Sequence, residues 1–332
     1  MPERIRVGIV GASPQSWAAA AHLPALAHLD EFTVTAVATT RQDSARKAAG
    51  TFGIRHAFAS AEELASHPEV DLVVASVKVP AHAAVVRAAL AAGKHVYAEW
   101  PLGADLAEAR ALADAAAAAG VVHAVDLQAY HSPGARFVAD LLAGGRIGAV
   151  ESVSMTAAGD PLGGSRIPRS LAWSAEPAAG NHLLTVMAGH ALAALERVAG
   201  PLADVSATVT RSCRFAITIT GTDGTLTITP ADPEHYPGWA EWRVRLRGTD
   251  GAAANLPVPG RYRLIPAAVP AGPAANIAAV YREVAQAITE GRPAHPGFDI
   301  GVHHHRTLAA IERAAQTGVR QSLAPQAEGM VA

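Results

Sequence analysis

Several residues stand where an α/β chain could carry out chemistry. Lys78 follows the apolar run VDLVVASV (70–77) and precedes Val79-Pro80, and His82 opens the Ala-rich stretch beyond. A lysine at such a strand end can bind ribose or phosphate, or act as an acid once desolvation lowers its pKa. His82 reads as a residue that holds the loop. In GKHVYAEWPLG (93–103) a short apolar run is cut off by a proline, so Glu99, Trp100 and Pro101 open a loop at a strand end. The Trp100 indole can stack on a flat ligand or plug the strand end, but cannot transfer a proton at neutral pH. His190, in LLTVMAGHALAAL, is either a group that exchanges protons near neutral pH or a satisfied core histidine. Tyr130 and His131 follow the run VVHAV (121–125). His303, His304 and His305 are consecutive, and neighbours on a helix point about 100° apart, so they cannot close on one ion and no metal site is expected.

A second group of residues suits phosphate. VGIVGASPQSWAAAAHLPAL has Gly8, Gly11, Ser13, Ser16 and Trp17 around a turn between a strand and a helix. Against G-x-G-x-x-G the register is Gly11, Ser13, Ser16, with serine at two of three glycine positions. The location strengthens a weak motif, because a first strand, a tight turn and a helix N-terminus offer backbone N–H groups to a pyrophosphate. The next strand ends in Ala38-Thr39-Thr40-Arg41 with no acid to hold a ribose 2′-hydroxyl. Two hydroxyls and a guanidinium there suit a 2′-phosphate, so NADP is the expected cofactor, with NAD as the alternative.

The elements that must position these residues follow from periodicity. Runs at 5–10, 32–38, 70–77, 94–98 and 121–125 are short and β-branched, and the stretches between them are Ala-rich, helical in length and apolar on one face. This alternation implies a doubly wound parallel sheet with helices on both faces. After Tyr130 a helix is expected over about 134–143 and another over 181–198. Alternating runs VESVSMTA, ADVSATVT, FAITITGTDGTLTIT and EWRVRLRG indicate antiparallel strands with a hairpin at TDG. Helical pattern resumes at Asn276 and Gly301, and 230–238 and 257–273 read as surface loops. Two domains are expected, 1–126 and 127–332, the second α+β on a mostly antiparallel sheet.

Bulk properties narrow the partners. A formal charge of −2 over 332 residues, with no Lys/Arg run, leaves no electrostatic footprint for nucleic acid or an anionic membrane. A small-molecule ligand is the expected partner. Cys213 is the only cysteine, which rules out an intrachain disulfide. No segment approaches the roughly 20 uninterrupted apolar residues of a membrane helix, and a cytoplasmic location is expected.

SVKVPAHAAVVRAALAAGKHVYAEWPLG, HSPGARFVADLLAGGRIGAVESV and FDIGVHHHRTLAAIERAAQTG together resemble the glucose–fructose oxidoreductase / inositol dehydrogenase / MocA family, over most of the chain. The resemblance implies a Rossmann domain, a nicotinamide cofactor, contacts to it from the Pro80/His82 and Glu99-Trp100-Pro101 segments and from Gln128, and a homodimer built on the second sheet. Two departures stand out. Where the family has the lysine of Glu-Lys-Pro this chain has Trp100, and the family aspartate aligns with Val186 while the family histidine matches His190. VKVP, GKHVYAEWP and LLT-x-x-x-GH are similar to the branch that includes the galactose-pathway repressor of yeasts. The near abutment of ADVSATVT and FAITIT implies a second sheet smaller than usual for the family, which bears on the dimer.

Two classes of function follow. One is an NADP-dependent oxidoreductase acting on a small polar or cyclic carbonyl, imine or hydroxy compound, with His190, Lys78 or the substrate managing the proton. The other is a non-catalytic sensor or regulator whose dinucleotide or ligand occupancy controls an interaction.

Overall fold

The structure, a computed structural model, describes residues 4–157, 180, 184–207, 215–232 and 240–323. Cys213 and the first residues of the helix expected over 181–198 lie outside the described residues, as does the end of ADVSATVT.

The first half builds β1 (Ile5–Val10), a π-turn (Ala18–His22) running into α1 (Leu23–Leu26), β2 (Phe32–Ala38), α2 (Gln42–Phe52), β3 (His56–Phe58) and α3 (Ala61–Ser66). It continues with β4 (Leu72–Ala75), α4 (His82–Ala91), β5 (His95–Glu99), α5 (Leu106–Ala119) and β6 (His123–Asp126). The strands form one parallel sheet in the order β3-β2-β1-β4-β5-β6. The expected doubly wound sheet is therefore present. β3 and α3, of three and six residues, are additions that periodicity was too short to reveal. Helix ends follow local chemistry: the Asp105 carboxylate accepts the Glu108 N–H at 2.8 Å at the start of α5, and Gly120 closes it with φ 64°.

In the second half α6 (Pro133–Ala143) precedes β7 (Val150–Ala157), and a π-turn (Leu184–Ala188) leads into α7 (Gly189–Ala199). Then come β8 (Asp204–Val205), β9 (Phe215–Gly221), β10 (Gly224–Pro230), β11 (Trp242–Gly248), β12 (Ala253–Leu256), α8 (Pro273–Glu290), α9 (Phe298–Thr317) and β13 (Gln321–Ser322). An antiparallel sheet runs β12-β11-β10-β9-β7, with the TDG turn joining β9 to β10 as expected. ADVSATVT departs from expectation: among the described residues only Asp204–Val205 is strand, and it pairs with β13 instead of joining this sheet. Alternation sorts the sheet's faces, with Ile217, Ile219, Leu226, Ile228 and Val244 buried against α6 and α7. On the other face Arg243, Arg245 and Arg247 are exposed.

Both faces of the first sheet are closed partly by helices from the far end of the chain. Val7, Ile9, Leu72, Val74 and Tyr97 pack with Ile277, Tyr281 and Val284 of α8. On the opposite face Val73, Val96 and Val125 share a core with Phe298 and Leu308 of α9. Burying one such side chain contributes about 1.5–3 kcal/mol, so the first sheet depends on residues far outside 1–126.

Candidate functional site at the carboxyl edge of the first sheet

The chain order reverses between β1 and β4, the place where open α/β sheets bind ligands. Gly11 sits there with φ 102°, donates its N–H to the Ala38 carbonyl at 2.9 Å, and lies so close to Ser76 that a Cβ would collide with its carbonyl oxygen. Only glycine fits. Ser13 and Ser16 shape the turn: the Ser16 hydroxyl donates to the Ser13 carbonyl at 2.7 Å and accepts the Ala19 N–H at 3.3 Å. Among the described residues, no hydrogen bond inside the chain uses the N–H of Ala12 or Gln15, so the turn has donors to offer a diphosphate. Trp17 is half-buried beside it. Gly8 needs a correction, since it lies inside β1 and not in the turn. A Cβ there would come within 2.6 Å of Leu64 Cδ2, so this glycine admits α3 against the sheet.

Thr39, Thr40 and Arg41 follow β2. The Thr39 hydroxyl bonds the Arg41 carbonyl at 3.0 Å and the Ser44 hydroxyl, while Thr40 and the Arg41 side chain are exposed. Lys78 and Pro80 are exposed beyond β4, in a short 3₁₀ turn. His82 is buried, its Nε2 bonded to the Val77 carbonyl at 2.9 Å, and burial holds its pKa below the ordinary histidine value. It therefore fastens the loop.

At the ends of β5 and β6 lies a polar cluster that sequence reasoning found only in part. Glu99 and Asp126 are paired in register. His22 bonds Glu99 through Nε2 and the Tyr281 hydroxyl through Nδ1 at 2.7 Å. The Ser76 hydroxyl donates to Glu99 at 3.2 Å, the Tyr97 hydroxyl to Asp126 at 2.9 Å, and the Gln128 amide to Asp126 at 3.2 Å. Burial, then the charge of Glu99, push the Asp126 carboxyl up to about 7, against the opposing effects of His22, Tyr97 and Gln128. Gln128 and Glu99 were expected at the edge. His22, Asp126, Tyr97 and Tyr281 were not, although an acid closing the apolar run VVHAVD was a readable signal.

Trp100 and Pro101 are buried behind Glu99. The Trp100 Nε1–H donates to the Thr185 carbonyl at 2.8 Å, a Cβ on Gly189 would run into its indole, and the His305 ring packs on it at 4.8 Å. With 5% of Trp100 exposed, the chain itself covers the ring. Of the two readings of Trp100, stacking surface or plug, these contacts fit the plug, which ties β5 to the second half. His190 is buried next to Gly189; burial first, then the nearby His304, lower its pKa to about 4. It is therefore neutral at pH 7. His131 is also structural: Nε2 bonds the His295 carbonyl at 2.6 Å, Arg136 lies 2.7 Å from Nδ1, and burial lowers its pKa to about 4. The Tyr130 hydroxyl meets His295 Nε2. Of the consecutive histidines, His303 pairs with Glu196 at 2.8 Å, and His304 and His305 are buried in the core around Trp100.

The comparisons with known proteins agree with this arrangement. Residues 5–127 match the model of an oxidoreductase family with an NAD-binding Rossmann fold, and residues 133–216 match that of the Gal80p C-terminal domain. A dehydrogenase, aclE, of Aspergillus oryzae is 33% identical over 60% of this chain and 56% of its own length. The galactose/lactose metabolism regulatory protein GAL80 of Kluyveromyces lactis is 30% identical over 59% of this chain and 45% of its own. The chain thus matches about half the length of these curated relatives. A levoglucosan dehydrogenase solved with NADH and levoglucosan superposes with a TM-score of 0.83 at 19% identity, covering 98% of this chain and 100% of that one, a likeness of fold. No helix among the described residues is long and apolar enough to cross a membrane. With its parallel first sheet, antiparallel second sheet and these matches, the chain joins a first domain of the glucose–fructose oxidoreductase / inositol dehydrogenase / MocA oxidoreductase family to a second domain similar to that of Gal80p.

Proposed function

We propose that this chain is a nicotinamide-dinucleotide-dependent oxidoreductase that prefers the 2′-phosphorylated cofactor and acts on a small polar or cyclic carbonyl, imine or hydroxy compound. The observation that carries this reading is the Gly11 turn at the switch point, with uncommitted N–H donors on one side and the Glu99 cluster along the edge on the other. Exposed Thr40 and Arg41, with no acid at the end of β2, support the cofactor preference. In this reading Gly11, Ser13 and Ser16 present the diphosphate site, Thr39-Thr40-Arg41 take the 2′-phosphate, and Lys78, Pro80 and Gln128 border the nicotinamide half. The bound cofactor would supply or accept the hydride. A small-molecule substrate, a homodimer and a cytoplasmic location remain parts of the proposal.

A second reading, a dinucleotide-responsive regulator, is favoured by the match of 133–216 to the Gal80p C-terminal domain and by Trp100 in place of a lysine. General acid–base residues typically contribute about 10²–10⁴ in rate, so turnover of ordinary sugars or inositols should be weak in either case.

Fluorescence titration tests the first reading. NADPH should bind about tenfold or more tighter than NADH, and Arg41→Asp should narrow or reverse the difference. Equal affinities in the wild type would discard the preference. Cofactor-dependent conversion in a carbonyl screen would favour the enzyme; cofactor binding with no conversion across the screen would favour the regulator.

A further inference from the structure

The cluster at the ends of β5 and β6 is more elaborate than cofactor binding requires. One ligand-type atom from each of His22, Glu99 and Asp126 lies within 4.8 Å of the other two. Two carboxyl groups that close together, shielded from water, resist being ionised at once. The surroundings reinforce this. Among the described residues, the groups facing the pair are His22 from the π-turn, Tyr97 from β5, Tyr281 from α8, Ser76 after β4 and Gln128 after β6, of which one imidazole is the basic partner. With Asp126 pushed up to about 7, the cluster holds a proton that it can surrender near neutral pH.

The cluster opens in one direction. His22, Asp126, Tyr97 and Tyr281 are fully buried, whereas the Glu99 side chain is 14% exposed at the carboxyl edge. A dinucleotide crossing the switch point spreads its halves over opposite sides of the sheet. With the 2′-phosphate beside Thr39-Thr40-Arg41 on the β2 side, the nicotinamide half falls on the β4-β5-β6 side, where Glu99 emerges.

We propose that the His22–Glu99–Asp126 cluster is a proton store linked to the charge of the bound nicotinamide: it gives up its proton beside a positively charged oxidised ring and keeps it beside a neutral reduced one. This rests on the dinucleotide-binding reading above. In a carbonyl reduction Glu99 hands this proton to the substrate oxygen while the carbonyl carbon takes the hydride. The new C–H and O–H bonds replace the carbonyl π bond, the C–H bond of the reduced ring and the O–H bond of Glu99. One reduced cofactor, one carbonyl and one stored proton thus become oxidised cofactor and alcohol, and Glu99, the member open to solvent, takes a proton back from water once reduced cofactor has replaced oxidised.

Calorimetric titration of the full chain with NADP⁺ and with NADPH, each in Pipes and in imidazole buffer, counts the protons exchanged on binding. NADP⁺ should release about half a proton more than NADPH at pH 7, rising toward one at pH 6, and its affinity relative to NADPH should fall by up to about tenfold per pH unit below 7. The 2′-phosphate titrates alike in both cofactors, so the difference isolates the ring. Asp126→Asn should abolish the difference while both cofactors still bind. Glu99→Gln, nearer the surface, should do the same and serves if the first variant does not fold. Equal proton release by the two cofactors in the wild type, or a difference that persists in these variants, would overturn the store. Absence of any binding in a parallel fluorescence titration would instead overturn the dinucleotide reading, and the store with it.

Discussion

Two of the places where the molecule buries histidines treat them in opposite ways. His22, on the first sheet's edge, has a hydrogen-bond partner at each ring nitrogen, Tyr281 on one side and the Glu99 carboxylate on the other. His190, His304 and His305, around Trp100, are governed by burial, which brings each pKa down to about 4. Their neighbour His303, bonded to Glu196, moves upward instead. A carboxylate within hydrogen-bond reach offsets the effect of burial on an imidazole, as Glu196 does for His303, and a few ångströms further away, as for His304, it does not. The first cluster is therefore equipped to move protons, and the second to stay neutral and hold the two halves together.

The largest effect should come from removing the imidazole that balances the first cluster. His22→Phe takes a hydrogen-bond partner from both Glu99 and the Tyr281 hydroxyl and should cost about 1–3 kcal/mol in urea unfolding for each buried group left unsatisfied. A loss below about 1 kcal/mol would mean that the pair is not balanced in this way. The second cluster should tolerate an apolar replacement far better.

Acid titration separates the two regions by sign. The second cluster's histidines have folded-state pKa values of about 4, below about 6.5 in the unfolded chain, so the unfolded chain binds more protons between these values. Their contribution to stability is lost as pH falls from about 6.5 to about 4, by up to about 1.4 kcal/mol per pH unit for one histidine. Asp126 runs the other way: its folded pKa, about 7, lies above its unfolded value, so its contribution is present at low pH and lost as pH rises through 7. Unfolding curves between pH 4 and 7 should become shallower with His190→Leu and steeper with Asp126→Asn. Parallel curves for all three proteins would erase the distinction.

A smaller effect tests the plug. Gly189→Ala drives a methyl group into the Trp100 indole and should cost about 1–3 kcal/mol, the range for overpacking. A thermal-shift measurement showing an unchanged midpoint would mean that the indole moves aside freely.

Some of this was legible in the chain and some was not. The parallel sheet was readable because its central strands, such as β1 and β4, are β-branched runs buried on both faces, and the TDG hairpin because turn and alternation agree. Gly11 was readable as a turn glycine. Gly8 looked the same in sequence, and only the approach of Leu64 assigns it to packing. Trp100 was ambiguous because an indole serves equally as a stacking surface or a plug, and its hydrogen bond to Thr185 joins positions 85 residues apart. The proton-holding cluster was hidden for the same reason. Its contacts join His22 to Glu99 across 77 residues and to Tyr281 across 259, separations at which local pattern carries no information.

The helices α8 and α9 also bear on how the protein is made. A ribosome delivers the chain from its N-terminus, and the six strands of the first sheet are complete by Asp126. Yet the apolar faces around Ile9, Leu72 and Val125 stay partly uncovered until residues 273–317 emerge. The nascent first domain must therefore wait through more than half of synthesis with sticky surface exposed, a period in which chaperone binding protects against aggregation. A truncated message ending near residue 126 would yield a product that never leaves that vulnerable state.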